Sequence, residues 1–484
     1  MSTFRVPYGN STILADLPER TRVLKNTNTP LPPLGDPAQA VRDALNSPIG
    51  HDPLSKLVNA KSKVTIAFDD PIGFAPAETK PGFIEIAMKL ILEELEKCGV
   101  NRHNIRLVCA IGLHRKWTNI ELADILGDDL MSRSSPSWLF NHDAEDKENL
   151  VFLGETKRYH EVEVNRLVTE SDQLIYISHP WSHFNGGWKS VVVGLSTWRS
   201  IRHHHRPFAK ASGKSSLDPK RSAFPKLLNE MGAIIEAELA KKGRRVFLIE
   251  GTTNNAMPQE LVQVVAGHPI EAHARGIDII QRQQVVDVKG QSDVVIYSIG
   301  NNRDPYGKGI KNLYTKETLI NPIQTRNVAL SYSYGLFQNV PLVKPGGIII
   351  CCHPCPDEFN LIHSPSYAEL FDDVLPHTTD PVEIWDLYAE EYANRPEFVH
   401  KFRYGYAFHG AHPLILYGQG LYGLKHVGKA FMAGASDFET ARRLSFEPFA
   451  AVEEAIAEAE NLLGKDCSIT YLDMPQSFVC NVEP

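Results

Sequence analysis

The sequence predicts an α/β protein of two domains, each a mainly parallel sheet with flanking helices, and an active site in the interdomain cleft. Three observations predict this. The chain has 484 residues, too many for one hydrophobic core, so two domains are the natural division. Short apolar runs alternate with stretches of helical spacing, the pattern of parallel strands joined through helices. Polar residues able to do chemistry stand where those runs end, and ligands of open parallel sheets bind outside the carboxyl ends of strands.

Taken in order, residues 1–55 are rich in Pro, Asn and Thr and read as an irregular wrap. Val64-Thr65-Ile66-Ala67-Phe68 reads as a buried strand ending in Asp69-Asp70-Pro71. Phe83 to Cys98 carries apolar residues at helical spacing, and Gly99 closes it as a C-cap does. Ile105 to Ala110 is the next strand, Glu121 to Leu126 a short helix, and Val151-Phe152-Leu153 and Gln173 to Ile177 further strands. A second α/β set begins near Val246 and continues with Asp293 to Tyr297 and Gly347 to Ile350. Between those two lies Gly300 to Gln324, polar, Gly/Pro-punctuated and long enough to be a functional loop. The helix Ala450 to Leu463 is followed by Ile469 to Leu472, which is expected to return to the first domain. The expected division is 1–275 plus 445–484 as the N-terminal cofactor-binding catalytic domain and 276–444 as the C-terminal α/β domain.

Composition excludes several functions. With 43% apolar and 22% charged residues the chain is an ordinary globular one, and its net charge of −8 gives no electrostatic footprint for nucleic acid. The N-terminus has no basic start leading into an apolar run, and no stretch approaches the ~18 apolar residues of a membrane span. Seven cysteines without an export signal fit reduced thiols and a cytoplasmic location. Cys351, Cys352 and Cys355 surround His353, but no second paired-cysteine element completes a structural zinc site.

Three strand ends carry the chemistry: Asp69 and Asp70, then His114, then the segment His179 to His183. Any one of these histidines alone would be read as structural; three polar strand ends together argue for a site. The run from His179 to Pro207 is the most informative. It holds Gly186-Gly187, where backbone can approach a ligand closely. Lys189 follows, able to act as a nucleophile or carry a cofactor once desolvated. His203, His204 and His205 close the run, and imidazole suits nickel, zinc and copper. By itself such a triplet reads as an exposed polar turn.

The ordered set of motifs resembles the nickel-dependent lactate racemase family over nearly the whole chain. Pro7-Tyr8-Gly9 and Ala44 to Gly50 are similar to that family's start. Cys109 to Arg115 resembles its "AtGxHR" element, with Thr118 and Glu121 following, then His142-Asp143-Ala144 and Leu153 to Thr156. Phe184-Asn185-Gly186-Gly187-Trp188-Lys189 resembles its "FSGGxK" loop, His205 lies sixteen residues further on, and Ala266 to His273 continues the match. The resemblance implies a nickel-pincer nucleotide, a pyridinium mononucleotide whose 3-thioamide and 5-thiocarboxylic acid arms clamp the metal. It implies Lys189 as the tether, His205 as the nickel ligand, and Asp69, Asp70, Gly186 and Gly187 as cofactor-binding residues. Two histidines would serve as acid and base on opposite faces of a 2-hydroxy acid, which inversion at C2 requires. His114 matches the first. Ungapped alignment to the lysine makes His179 the second, and the local Ser182-His183-Phe184 pattern makes it His183; His179 is preferred. Gln324, Arg326 and Trp385 are the implied substrate-binding residues.

The chain also departs from the family. Gly73 stands at the position of a substrate-binding arginine, and Asn327, beside Arg326, at that of a lysine. A longer or more polar acid than lactate, such as an aldonic acid, met by Asn301, Asn302, Arg303, Asp304, Lys308, Lys311 and Arg326, is therefore expected. The partners implied are that small acid and the enzymes that make the cofactor; a homo-oligomer is left open. Two other readings remain: a zinc hydrolase built on His203 to His205, and a non-catalytic homologue that binds small acids.

Overall fold

The computed structural model describes all residues except 1, 71–80, 181, 208–213, 257, 301–320 and 475–477. Gly73 and the residues Asn301, Asn302, Arg303, Asp304, Lys308 and Lys311 lie outside the described residues.

Two six-stranded sheets organise the chain. The first runs in the order Leu261–Gly267, Phe247–Thr253, Gln173–Ser178, Val64–Asp69, Ile105–Ala110, Leu139–Asn141. Every pairing is parallel except that of the edge strand Leu261–Gly267. The second runs Glu447–Phe449, Lys429–Ala433, Val343–Cys352, Ser292–Ser298, Ile469–Leu472, Arg22–Leu24, parallel throughout. This is the mainly parallel α/β architecture the sequence predicts, and central strands such as Val64–Asp69 and Gln173–Ser178 are apolar runs because both faces are covered.

The helix predicted from Phe83 spans Phe83–Lys97, with Cys98 as its cap and Gly99 at φ +77. The short helix spans Asn119–Leu126 and begins in a capping box: Thr118 Oγ1 accepts from Glu121 N–H, and Glu121 accepts from Thr118 N–H. Thr118 and Glu121 thus have a structural role. Glu121 also pairs with Arg115 at 2.5 Å.

Three expectations are corrected. Residues 1–55 are not an irregular wrap: Ser2–Tyr8 and Ser11–Leu17 form an antiparallel hairpin, and Pro37–Asn46 is a helix capped by Asp36. Pro7 is tolerated because the hairpin is an isolated two-stranded ribbon. Val246 does not open a second set, since Phe247–Thr253 pairs with Gln173–Ser178 in the first sheet. Nor does the end of the chain return to the first sheet. Ile469–Leu472 pairs with Ser292–Ser298 and Arg22–Leu24, and Val6, Ala15 and Leu17 of the hairpin pack into the same core. A short, uniformly apolar strand fits any parallel sheet, so its pattern does not specify which.

Among the described residues no helix is long and apolar enough to cross a membrane. All seven cysteines are free thiols.

Candidate active site

The strand Val64–Asp69 lies at the middle of the first sheet and delivers two carboxylates at its end. Asp69 turns toward the neighbouring strand. It accepts from Tyr176 Oη at 3.0 Å, Ser178 Oγ at 2.9 Å and the backbone N–H of His179 at 3.0 Å. Burial raises its pKa while those donors and Lys189 pull it down. Asp70 turns the other way. Its Oδ2 accepts from His114 Nδ1 at 2.9 Å and from Trp117 Nε1 at 3.3 Å. The adjacent carboxylates therefore hold both preferred acid/base candidates, His179 through its backbone and His114 through its ring.

With Nδ1 of His114 donating to Asp70, Nε2 is the basic nitrogen of the neutral ring, the arrangement a general base needs. The turn carrying His114 requires Gly112: at φ +54 an added Cβ would sit 2.7 Å from the Val193 carbonyl oxygen. His114 remains one-third exposed.

Lys189 lies in the first turn of the helix Trp188–Gly194. Its ammonium is 5.7 Å from the centre of the Phe184 ring. Burial pushes its pKa down, opposed by the charges of Asp69 and Asp70. A desolvated amine close to carboxylates is a candidate nucleophile. The glycines before it have φ +92 and +58. A Cβ on either would strike His273, and Gly187 N–H donates to buried Glu250 at 2.9 Å. These glycines let the loop close onto its own Glu250–His273 pair, which fixes the entry to the lysine helix.

His183 is buried rather than solvent-facing. It is 2% exposed, and its Nε2 donates to Gln281 Oε1 at 2.9 Å. Burial pushes its pKa down to about 4. His179 is also buried, beside Phe83 at 6.1 Å between ring centres.

The histidine triplet ends the helix Trp198–His205, with His203 turned away from the paired rings of His204 and His205. His203 Nε2 faces Glu161 at 3.3 Å, next to His160. His204 is fully buried, and its Nδ1 lies 2.5 Å from Nδ1 of half-buried His205. Among the described residues no three His, Cys, Asp or Glu side chains are placed to hold a metal. Burial pushes the thiols of Cys352 and Cys355 up to about 12.

Residues of the second half meet this site from helices and their flanking loops. His412 stands edge-on to His114 at 5.2 Å, and Phe408 lies 6.3 Å from the same ring. His412 Nδ1 is hydrogen-bonded to Tyr367 Oη, which accepts from Gln324 Nε2 at 3.1 Å. Gln324 is therefore linked to the His114 neighbourhood. Arg326 is fully buried, with its guanidinium 3.7 Å from the Tyr417 ring centre and Nη1 on the Tyr417 carbonyl. Trp385 packs on Trp198 at 5.4 Å, at the start of the triplet helix. An ion pair and a hydrogen bond tie the halves together around His114: Arg403 with Asp143 at 3.2 Å, and His409 Nε2 with Glu145 at 3.0 Å. Sequence reasoning missed His412, Tyr367 and Trp117; Trp117 lies three residues past His114, whereas His412 and Tyr367 sit in no motif and only the fold brings them to the site.

Known proteins resemble this chain in sequence and in fold. Residues 8–216 match the lactate racemase N-terminal domain family, a span containing Asp69, Asp70, His114, His179, His183, Lys189 and His205. A lactate racemase of Thermoanaerobacterium thermosaccharolyticum is 27% identical over 312 residues, covering 62% of this chain and 67% of that protein. One from Lactiplantibacillus plantarum is 24% identical over 288 residues, covering 58% of this chain and 63% of that protein, so the aligned stretch spans under two thirds of its length. The structure of the T. thermosaccharolyticum lactate racemase apoprotein superposes with a TM-score of 0.68 at 21% identity, covering 99% of this chain and 100% of that one. A Thermotoga maritima protein shares the fold more distantly, with a TM-score of 0.57 at 14% identity, over 93% of this chain and 99% of that one. Residues 8–216 thus resemble the lactate racemase N-terminal domain, and the chain shares its fold with the lactate racemase apoprotein.

Proposed function

We propose that this protein is an isomerase that inverts C2 of a 2-hydroxy acid, using a lysine-tethered nickel-pincer nucleotide. The observation that carries the reading is the Asp69-Asp70 pair, which holds His114 and His179 while lying within electrostatic reach of Lys189. The residues fit the group. Lys189 is desolvated as a covalent tether must be, and His205 offers the single imidazole that a metal clamped mainly by its own nucleotide would need. When bound, the group supplies a reversible store for a hydride.

The chain's own residues do the rest. His114 Nε2 takes the substrate's hydroxyl proton, and the Asp70 carboxylate stabilises the imidazolium so formed. His179 serves the opposite face, its backbone pinned by Asp69. His183, held neutral by burial and tied to Gln281, is poorly suited to proton transfer near neutral pH, which favours His179. His203 faces Glu161, away from the His204–His205 pair, which counts against a zinc hydrolase built on all three histidines. Gly73 and Asn327, in place of the family's cations, favour an acid larger or more polar than lactate, such as an aldonic acid. The cofactor would be supplied by its biosynthetic enzymes, and seven free thiols suit a cytoplasmic setting.

The test is a panel of 2-hydroxy acids in ordinary and heavy water, read by chiral chromatography and proton NMR. The expected result is inversion of a polyhydroxylated acid with little deuterium at C2 and little turnover of lactate. Full deuterium wash-in would contradict hydride transfer, and efficient lactate turnover would contradict the substrate assignment.

A further inference from the structure

We propose that His412 is the carboxylate-binding donor of this site, a neutral imidazole fixed as its Nε2–H tautomer by Tyr367. The inference rests on the hydroxy-acid reading above and adds to it the residue that takes the acid group.

The argument is one of hydrogen-bond satisfaction. Tyr367 is fully buried, so its hydroxyl proton needs an acceptor. Among the described residues its polar neighbours are Gln324 Nε2, which can only donate, and His412 Nδ1. The proton therefore goes to Nδ1, and His412 carries its own proton on Nε2. The plane of the ring is set by Phe408, on which it stacks at 5.0 Å with the planes 8° apart. Burial, with His114 and His409 nearby, keeps the ring's pKa well below the usual histidine value, so it stays neutral.

His114 is set the opposite way. Asp70 takes its Nδ1–H and leaves Nε2 as an acceptor. Two imidazoles thus meet edge to face at 5.2 Å, one fixed as acceptor and one as donor. A 2-hydroxy acid presents the complementary pair on adjacent carbons, a hydroxyl that donates and a carboxylate that accepts. A hydrogen bond to a carboxylate is charge-assisted, and a ring already held in place loses little freedom on binding. Tyr367 and Gln324 act through His412 and are positioning residues.

The probes are 2-hydroxy-2-methylpropanoate, which has no hydrogen on C2 and cannot turn over, its amide, and 2-methylpropanoate, bound to the cofactor-loaded protein in a calorimeter. His412→Phe keeps the packing and removes the donor. It should weaken the hydroxy acid roughly ten- to a hundredfold and the amide little. His412→Gln should recover most of the loss. In wild type, nitrogen-15 NMR should show His412 as one Nε2–H tautomer, and Tyr367→Phe should give a mixture and a several-fold weaker acid. Unchanged acid binding in His412→Phe, equal loss for acid and amide, or an Nδ1–H tautomer in wild type would overturn the proposal. Equal binding of 2-hydroxy-2-methylpropanoate and 2-methylpropanoate by wild type would instead overturn the hydroxy-acid reading.

Discussion

The two faces of the site are built by different means. The first half presents groups from strand ends and the loops that follow them: Asp69, Asp70, His114 and His179, with Lys189 one turn into a helix. Each is held by a short covalent path to the central sheet. The second half presents Gln324 and Tyr367 from helices Pro322–Asn327 and Pro365–Glu369, and His412 from the start of His412–Gln419. Its groups reach the site through one another, Gln324 to Tyr367 to His412. The contrast implies a division of labour. Under the proposed function, the strand-end face would hold the groups that move protons, and the helix face neutral groups that orient the substrate.

Variants can break that division. The largest effect is expected from His114→Ala, which should lower turnover by ~10²–10⁴-fold, because a general base is removed. Gln324→Ala should change turnover only several-fold and act mainly on KM. Equal losses of turnover in both, measured as initial inversion rates, would erase the distinction.

Next in size is a pH effect on stability. Burial pushes the pKa of His142 and of His183 down to about 4. The unfolded chain, at ~6.5, binds those protons more readily. Stability is thus complete above about 6.5 and falls as pH drops toward 4, by up to ~3 kcal/mol for each residue. His183→Gln, which keeps a polar side chain near Gln281, should flatten part of this slope in thermal unfolding scans between pH 7 and 4. A slope identical to wild type would show that His183 is not the buried neutral group described here.

A smaller effect separates the members of the triplet. His205→Ala should lower nickel retention after cofactor loading, and His203→Ala should leave it unchanged, because His203 is engaged with Glu161. Equal loss from both, by metal analysis, would point to a multi-histidine site. The smallest effect concerns the tie between the faces. Arg403→Ala removes a partly exposed contact to Asp143 and should cost within about 1 kcal/mol in denaturant unfolding.

The same contrast explains what the sequence revealed. The strands ending at Asp69, Ala110 and Ser178 are apolar runs that stop at polar residues, so both the fold and this face were legible. The hairpin Ser2–Leu17 was missed because its Pro and polar residues resemble a loop, although Asp36-Pro37 carried a readable helix-start signal. Ile469–Leu472 was recognised as apolar but given to the wrong sheet, since a four-residue strand encodes no partner. His412 and Tyr367 carry no motif at all. Their role depends on how helices of the second half dock against His114, information spread over the packing of both halves. Thr118 and Glu121 show the converse, a recognisable pattern whose role is a helix cap.

The central claim is that the strand-end face carries a covalent group on Lys189, and mass analysis tests it most directly. The full chain is expressed together with the cofactor-making enzymes and measured intact and after proteolysis. The account predicts about one nickel per chain and a mass adduct on the Lys189 peptide, lost in Lys189→Ala along with activity. An unmodified Lys189 peptide in active protein, or full activity in Lys189→Ala, would contradict it.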